Sequence, residues 1–203
     1  MKKIISIIAV LVLVLSCFVG CQNNNDSNNK PNNNISSGEE KKENANYTAE
    51  ELLDKVISKA IEIDPDTEYG MKTLAGQKNV INLENLEDIL GLTEEEFNEN
   101  IDGAMESKPD DTWSPHSVVF VKVKDGVDTE SIAKKIVEKT SPYRFGCLKP
   151  DVIVGAYYEN YIVIIDSDEA EKEVVLTSLK DILGAEIKTI DRENDWNFSF
   201  FEE

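Results

Sequence analysis

Two runs of β-favouring residues that lie only two positions apart constrain the fold more than any other feature of this sequence. Residues 151–158 and 161–166 are rich in Val, Ile and Tyr, and only Glu159 and Asn160 separate them. A two-residue connection between such runs is typical of a tight β-hairpin. The sequence therefore predicts two adjacent antiparallel strands in the C-terminal half of the chain.

Residues 117–124 predict another strand, which the Asp125-Gly126 turn ends. Its side chains alternate between two sides, with Val118, Phe120 and Lys122 on one and Val119, Val121 and Val123 on the other. A further strand is expected near residues 101–105. Together with the hairpin, these runs predict at least four strands.

Amphipathic helices are expected on either side of these strands. Each has apolar residues at helical spacing, a capping residue at its start and a terminating residue after its end: residues 48–63 between Thr48 and Pro65, with the capping box of Thr48 and Glu51; a helix between Asp128 and Ser141-Pro142; and a helix between Asp168 and Gly184. Shorter helical turns are expected around residues 86–90 and from Thr93 to Glu96.

The order of elements from about residue 100 is therefore β-β-α-β-β-α, preceded by an N-terminal helix. This order predicts an α+β fold, an antiparallel sheet with helices packed on one face, in a single domain over residues 47–203. The tail, residues 187–201, is expected to form an edge strand or a strap over the core, with a ligand-stacking surface as the alternative. This prediction rests on its aromatic residues, Trp196, Phe198, Phe200 and Phe201.

The N-terminus has the organisation of a secretory signal. Lys2 and Lys3 precede an apolar run at residues 4–19, and this run is shorter than the roughly 20 residues needed to span a bilayer. Residues 1–20 are therefore expected to be a signal peptide that is removed on export.

The end of this run resembles the lipobox of bacterial lipoproteins. The sequence Phe18-Val19-Gly20-Cys21 places small residues before a cysteine, and Cys21 is favoured as the lipid-attachment residue over Cys17, which follows the bulky Leu15. Fatty acids such as palmitate on that cysteine would anchor the protein stably, because dual acylation is sufficient for lasting membrane attachment. The expected location is the extracytoplasmic face of the cell membrane.

An Asn-rich segment follows the proposed anchor. Residues 21–46 contain the lipidated cysteine and a polar stretch with Ile35 as its single aliphatic residue. Such a composition favours disorder, and a flexible chain of this length spans roughly 25 to 30 Å. We interpret it as a tether.

The overall charge excludes one class of partner. The chain has 40 acidic and 21 basic side chains and a formal net charge of −19 at pH 7. Nucleic-acid affinity comes mainly from Lys and Arg on phosphates, so direct nucleic-acid binding is not expected.

The sequence offers no recognisable catalytic set. His116 is the only histidine, no Gly-x-Ser-x-Gly motif is present, and His116 is interpreted as a strand-end or surface residue. Lipidation would leave Cys147 as the only free thiol, interpreted as a half-buried loop residue. His116 and Cys147 alone cannot make a zinc site, so no catalytic residue, cofactor or metal ligand is assigned.

The plentiful acidic residues also have ordinary explanations. Residues 64–68 begin like a calcium-binding loop, but Tyr69 and Ala75 stand where such a loop needs Gly and Glu. Four acids near the start of the last helix are interpreted as capping groups in preference to metal ligands; they are Asp166, Asp168, Glu169 and Glu171.

A family resemblance rests on residues 91–183 together with the leader. Its features are LTEEEF at residues 92–97, the strand VVFVKVK at 118–124 with its following helix, Tyr143, and YYENYIVIIDSD at 157–168. These features resemble an uncharacterised domain-of-unknown-function family of lipoproteins from Gram-positive anaerobes. The resemblance covers under half of the chain and implies a fold and a surface location, without any catalytic residue.

These observations favour a lipid-anchored binding or interaction module that is not an enzyme. Its expected partners are the membrane, through the anchor, and a protein at the cell surface. The alternative is low-affinity binding of divalent cations or solutes by the acidic domain.

Overall fold

A six-stranded antiparallel sheet forms the centre of the fold. The computed structural model describes residues 46–64, 78–109, 115–146 and 148–192. These residues form, in order, α1 (Ala49–Ile63), β1 (Lys78–Val80), α2 (Leu86–Leu90), α3 (Glu94–Asn100), β2 (Ile101–Ser107), β3 (Ser117–Val123), α4 (Thr129–Lys139), β4 (Val152–Tyr158), β5 (Tyr161–Ser167), α5 (Glu169–Leu183) and β6 (Lys188–Asp191).

The strand order in the sheet is β1-β2-β3-β5-β4-β6, and every neighbouring pair is antiparallel. From β2 onward the chain repeats a β-β-α unit, as the sequence predicts. The first strands of the two units lie further out, and their second strands, β3 and β5, pair at the centre. The α+β class and the antiparallel sheet are confirmed.

The predicted hairpin is formed by β4 and β5. Tyr158 pairs with Tyr161 next to the two-residue turn, and Glu159 in that turn has a φ of 50°. The turn also touches β3, because the Asn160 carbonyl accepts a hydrogen bond of 2.8 Å from the Val123 amide. Backbone hydrogen bonds therefore join β3, β4 and β5 at the end of the sheet that carries the hairpin turn.

Helices cover both faces of the sheet, which corrects the expectation of helices on one face. On one face α1 and α5 share a core with alternate residues of the central strands, namely Val118, Phe120, Val163 and Ile165. On the other face α2 and α4 pack against the intervening residues, namely Val119, Val121, Ile162 and Ile164. Because β3 and β5 are apolar on both sides, one uncovered face would expose a row of large aliphatic side chains.

Close packing of α4 on the sheet requires a glycine in β4. A Cβ atom at Gly155 would lie 2.5 Å from Cγ2 of Val137, which is far inside normal contact distance. Gly155 therefore lets the helix approach the strand backbone directly.

The helix starts follow the predicted capping residues. In α1, Thr48 Oγ1 accepts a bond of 3.1 Å from the Glu51 amide, and Glu51 Oε2 accepts one of 2.9 Å from the Thr48 amide. Thr93 and Glu96 form the same reciprocal capping box in α3. Gly184 ends α5 in the left-handed conformation, as its position predicts.

Residues 187–201, where an edge strand or a strap over the core is expected, begin with the edge strand β6, which pairs with β4. The tail aromatics Trp196, Phe198, Phe200 and Phe201 lie outside the described residues, as do the leader and the tether. Within the described ranges, every helix falls short of the length and hydrophobicity that a bilayer-spanning helix requires.

Candidate functional site

Buried polar side chains concentrate at one end of the sheet, where β2 and β5 end and β3 begins. Six of them are no more than 4% exposed: Glu106, Ser107, Ser117, Asp166, Ser167 and Glu171. Buried polar groups need hydrogen-bonding partners. Five of these residues, all except Ser107, belong to two networks, one on each face of the sheet.

The first network is organised by Arg144, which lies in the turn after α4. Its Nε donates a hydrogen bond of 3.0 Å to Asp166 Oδ2, and its Nη1 donates one of 2.5 Å to Glu106 Oε1. The Ser117 hydroxyl donates a third bond, of 2.8 Å, to the same Glu106 oxygen. Arg144 therefore ties the turn after α4 to β2 and β5.

The charges in this network are almost completely shielded from water. The Arg144 side chain is 8% exposed, and those of Glu106 and Asp166 are each 1% exposed. Burial raises the pKa of the Asp166 carboxyl, against the opposing effect of the Arg144 guanidinium. With so little access for a ligand, this network is a structural element.

The second network lies on the opposite face and contains the only histidine. His116 Nδ1 lies 2.9 Å from Ser167 Oγ and 2.5 Å from Glu171 Oε2, and the Ser167 hydroxyl donates to the same Glu171 oxygen. The His116 side chain is 19% exposed and that of Glu171 is 6% exposed. The imidazole therefore lies at the boundary between the core and solvent.

Strand register explains why the two networks lie back to back. Ser117 pairs with Asp166 between β3 and β5, so the next residues, His116 and Ser167, are neighbours on the other face. One end of the central strand pair thus carries a closed charge network on one side and a partly accessible histidine cluster on the other.

Asp168 joins the histidine cluster from the start of α5. Its Oδ1 accepts a hydrogen bond of 2.9 Å from the Glu171 amide, so its predicted capping role is confirmed. His116, Asp168 and Glu171 each offer a ligand atom, and these atoms lie within 4.8 Å of one another. The structure brings together residues that the sequence analysis treated separately, as a strand-end histidine and two capping acids.

An open cleft of about 490 Å³ lies at the opposite end of the sheet, beside the β4–β5 turn. Its walls combine two tyrosines, four acids and one lysine: Tyr157, Tyr158, Asp128, Glu130, Glu159, Glu186 and Lys188. A second cleft of about 390 Å³ adjoins the first, and Glu159 lines both. The acidic tyrosine cleft, as we call the first, is therefore framed by the hairpin turn and the start of α4.

The groups in the acidic tyrosine cleft are ordered by mutual contacts. Hydrogen bonds from Lys134 and from Tyr157 lower the pKa of the Glu130 carboxyl, and the bond to Glu130 raises the pKa of the Tyr157 hydroxyl. Lys188 Nζ lies 5.5 Å from the centroid of the Tyr157 ring, within the range of a cation–π contact. The cleft thus presents ionised carboxylates beside aromatic faces.

The three cysteines singled out from the sequence, Cys17, Cys21 and Cys147, lie outside the described part of the chain, as do the tail aromatics. Asp64 follows the last residue of α1, whereas Asp66 and Glu68 are also outside the described ranges.

Comparisons of the chain with protein-family models, with curated proteins and with solved structures gave no match.

Proposed function

We propose that this chain is a lipid-anchored extracytoplasmic lipoprotein that acts as a binding module for positively charged segments of a surface protein, without catalysis. The leader that ends in Phe18-Val19-Gly20-Cys21 supports the anchor. The Asn-rich residues after Cys21 support a tether that gives the folded part reach from the membrane.

The single observation that carries the binding function is the acidic tyrosine cleft. Four carboxylates and one ammonium group line it, and Lys134 and Lys180 pair with Glu130 and Glu186 from outside the lining. The carboxylates still outnumber the ammonium groups, so the charge of the cleft favours a cationic ligand. Tyr157 adds an aromatic face, over which Lys or Arg side chains bind favourably. Lys188 Nζ already lies over the Tyr157 ring, and an incoming cation can take over this contact.

The wider electrostatics act in the same direction. A net charge of −19 produces a field that attracts cationic partners and accelerates their encounter. The cleft lies on a hairpin turn and a helix start within the sheet scaffold, so its geometry is largely formed before binding. A preformed site limits the ordering cost of association.

The test uses the full chain in detergent micelles and an oligolysine peptide as the probe. The double variant Glu159→Gln and Glu186→Gln removes two cleft charges, and we expect it to weaken peptide binding by about tenfold. Tyr157→Ala should also weaken binding, whereas Tyr157→Phe keeps the aromatic face and should retain it.

The matched control is the double variant Glu94→Gln and Glu95→Gln, which removes the same charge from exposed positions of α3. This control should bind oligolysine within about twofold of the unmodified chain, since exposed distant charges are screened. Equal weakening by both double variants would show a general attraction to the acidic surface and would reject the cleft as the binding site.

A further inference from the structure

We propose that His116, Asp168 and Glu171 form a binding site for a divalent first-row transition-metal ion, with Zn²⁺ as the reference ion. This site lies at the opposite end of the sheet from the acidic tyrosine cleft and does not depend on the function proposed for that cleft. The sequence alone suggests cation binding only by the acidic surface as a whole, whereas the structure points to three specific ligands.

The buried carboxylate of Glu171 needs a positive charge nearby. Its side chain is 6% exposed, and a buried carboxylate requires a compensating cation. In the part of the chain that the structure describes, the ion pair of Glu171 is with His116, and neither Glu171 nor Asp168 pairs with a lysine or an arginine. On the other face, the permanently charged Arg144 neutralises Glu106 and Asp166, whereas His116 balances the charge of Glu171 only when it is protonated.

A second observation comes from a comparison of three helices within the chain. Glu51, Glu96 and Glu171 occupy the same position, three residues after the N-cap. Glu51 and Glu96 turn back to close capping boxes at the helix surface. Glu171 instead directs its carboxylate to His116 and Ser167, so the capping requirement does not explain its inward orientation.

The ligand atoms of His116, Asp168 and Glu171 suit a divalent metal ion. His116 Nδ1 supplies one imidazole nitrogen, and the carboxylates of Asp168 and Glu171 supply oxygens that balance the charge of a divalent ion. The three ligand atoms lie within 4.8 Å of one another, which a small ion can bridge after minor side-chain adjustment. Because His116 is 19% exposed, a water molecule can complete the coordination from the solvent side.

Ser167 supports this arrangement as an outer-shell residue. Its hydroxyl donates to Glu171 Oε2 and holds the carboxylate beside the imidazole, as hydrogen bonds to metal ligands commonly do. Metal binding at Nδ1 requires the neutral imidazole with its proton on Nε2, and any proton displaced from Nδ1 passes to solvent.

The same ligand set selects among metals. Ca²⁺ requires six to eight oxygen ligands and Mg²⁺ retains most of its water, so neither matches a compact set with one nitrogen. Imidazole together with carboxylates suits Zn²⁺ and its first-row neighbours. We therefore expect Zn²⁺ to bind in the presence of excess Mg²⁺ and Ca²⁺.

The experiment is calorimetric titration of the full chain in detergent micelles with Zn²⁺, after chelator treatment and with an affinity tag free of histidine. We expect one saturable Zn²⁺ per chain. His116→Gln and Glu171→Gln should each reduce the affinity by at least about tenfold. The matched control Glu51→Gln removes an acid from the same helix position outside the cluster and should leave the affinity unchanged.

Multiple weak sites that respond equally to Glu51→Gln and Glu171→Gln would overturn the proposal, as would the absence of saturable binding. X-ray absorption of the unmodified Zn²⁺-loaded chain provides a test that does not rely on variants. Since His116 is the only histidine, the spectrum should show one imidazole in the zinc shell, and a shell of oxygen alone would reject the site. The His116→Gln variant should still bind oligolysine, so that failure of the zinc site can be distinguished from failure of the function proposed for the cleft.

Discussion

Arg144 Nη1 donates a hydrogen bond of 2.5 Å to Glu106 Oε1, across a sequence separation of 38 residues. This bond joins the turn after α4 to the end of β2, and the same guanidinium reaches Asp166 at the end of β5. All three side chains are at least nine-tenths buried. The turn is therefore held in place by charge pairing inside the protein.

Removal of this guanidinium should destabilise the fold strongly. The variant Arg144→Met leaves two buried carboxylates without their cation, and we expect the free energy of unfolding to fall by about 3–5 kcal/mol. Urea unfolding followed by circular dichroism measures this change. The control Lys134→Met removes an exposed partner of Glu130 and should change stability by at most about 1 kcal/mol; equal losses would contradict a structural role for Arg144.

The close approach of α4 to β4 makes Gly155 sensitive to substitution. Gly155→Ala places a methyl group 2.5 Å from Cγ2 of Val137, and we expect a loss of about 1–3 kcal/mol from overpacking. The double variant with Val137→Ala should be more stable than the sum of the single changes predicts. Gly103→Ala is the control, since a Cβ there meets nothing within 4 Å. Additive effects in thermal unfolding would show that the two residues do not compete for space.

Hydrogen bonds at the helix starts should make stability depend on pH in the acidic range. The Thr48 amide lowers the pKa of the Glu51 carboxyl, and the Ser131 hydroxyl lowers that of Asp128. An acid with a lowered folded-state pKa stabilises the fold above its unfolded pKa, and this contribution is lost as the pH falls through the folded value. We therefore expect the free energy of unfolding to decrease below the ordinary Glu pKa of 4.5.

Urea unfolding at a series of pH values checks this expectation, and Glu51→Gln should reduce the acid-dependent loss. Asp166 acts with the opposite sign because burial raises its pKa: its protonation favours the folded state, and that contribution is lost as the pH rises through the folded value. A pH profile unchanged by Glu51→Gln would argue against the capping carboxylate as a source of the acid sensitivity.

Lipid attachment at Cys21 can be tested by substitution of the cysteine. In the producing cell, Cys21→Ala should abolish incorporation of a palmitate analogue and release the chain from the membrane fraction, because the acyl chains provide the attachment. Cys17→Ala should retain both properties. The reverse result would move the lipid-attachment residue to Cys17.

Several elements could be predicted because their signals are local. The capping box at Thr48, the helix start at Thr93 and the left-handed residue Gly184 are read from neighbouring positions. The β4–β5 hairpin follows from a two-residue turn between β-favouring runs. The expectation of helices on one face was wrong, because β3 and β5 are apolar on both sides and each side needs a cover.

Strands β2 to β5, the main helices, their caps and the antiparallel hairpin follow from local sequence, because periodicity, turn chemistry and capping act over a few residues. The short strand β1, the pairing of β3 with β5, the helices on both faces and the contact of His116 with Glu171 across 55 residues emerge only in the folded chain. These outcomes depend on which distant strands pair and in which register. Long-range burial determines that choice, since it must remove apolar surface from water and leave each buried charge with a partner.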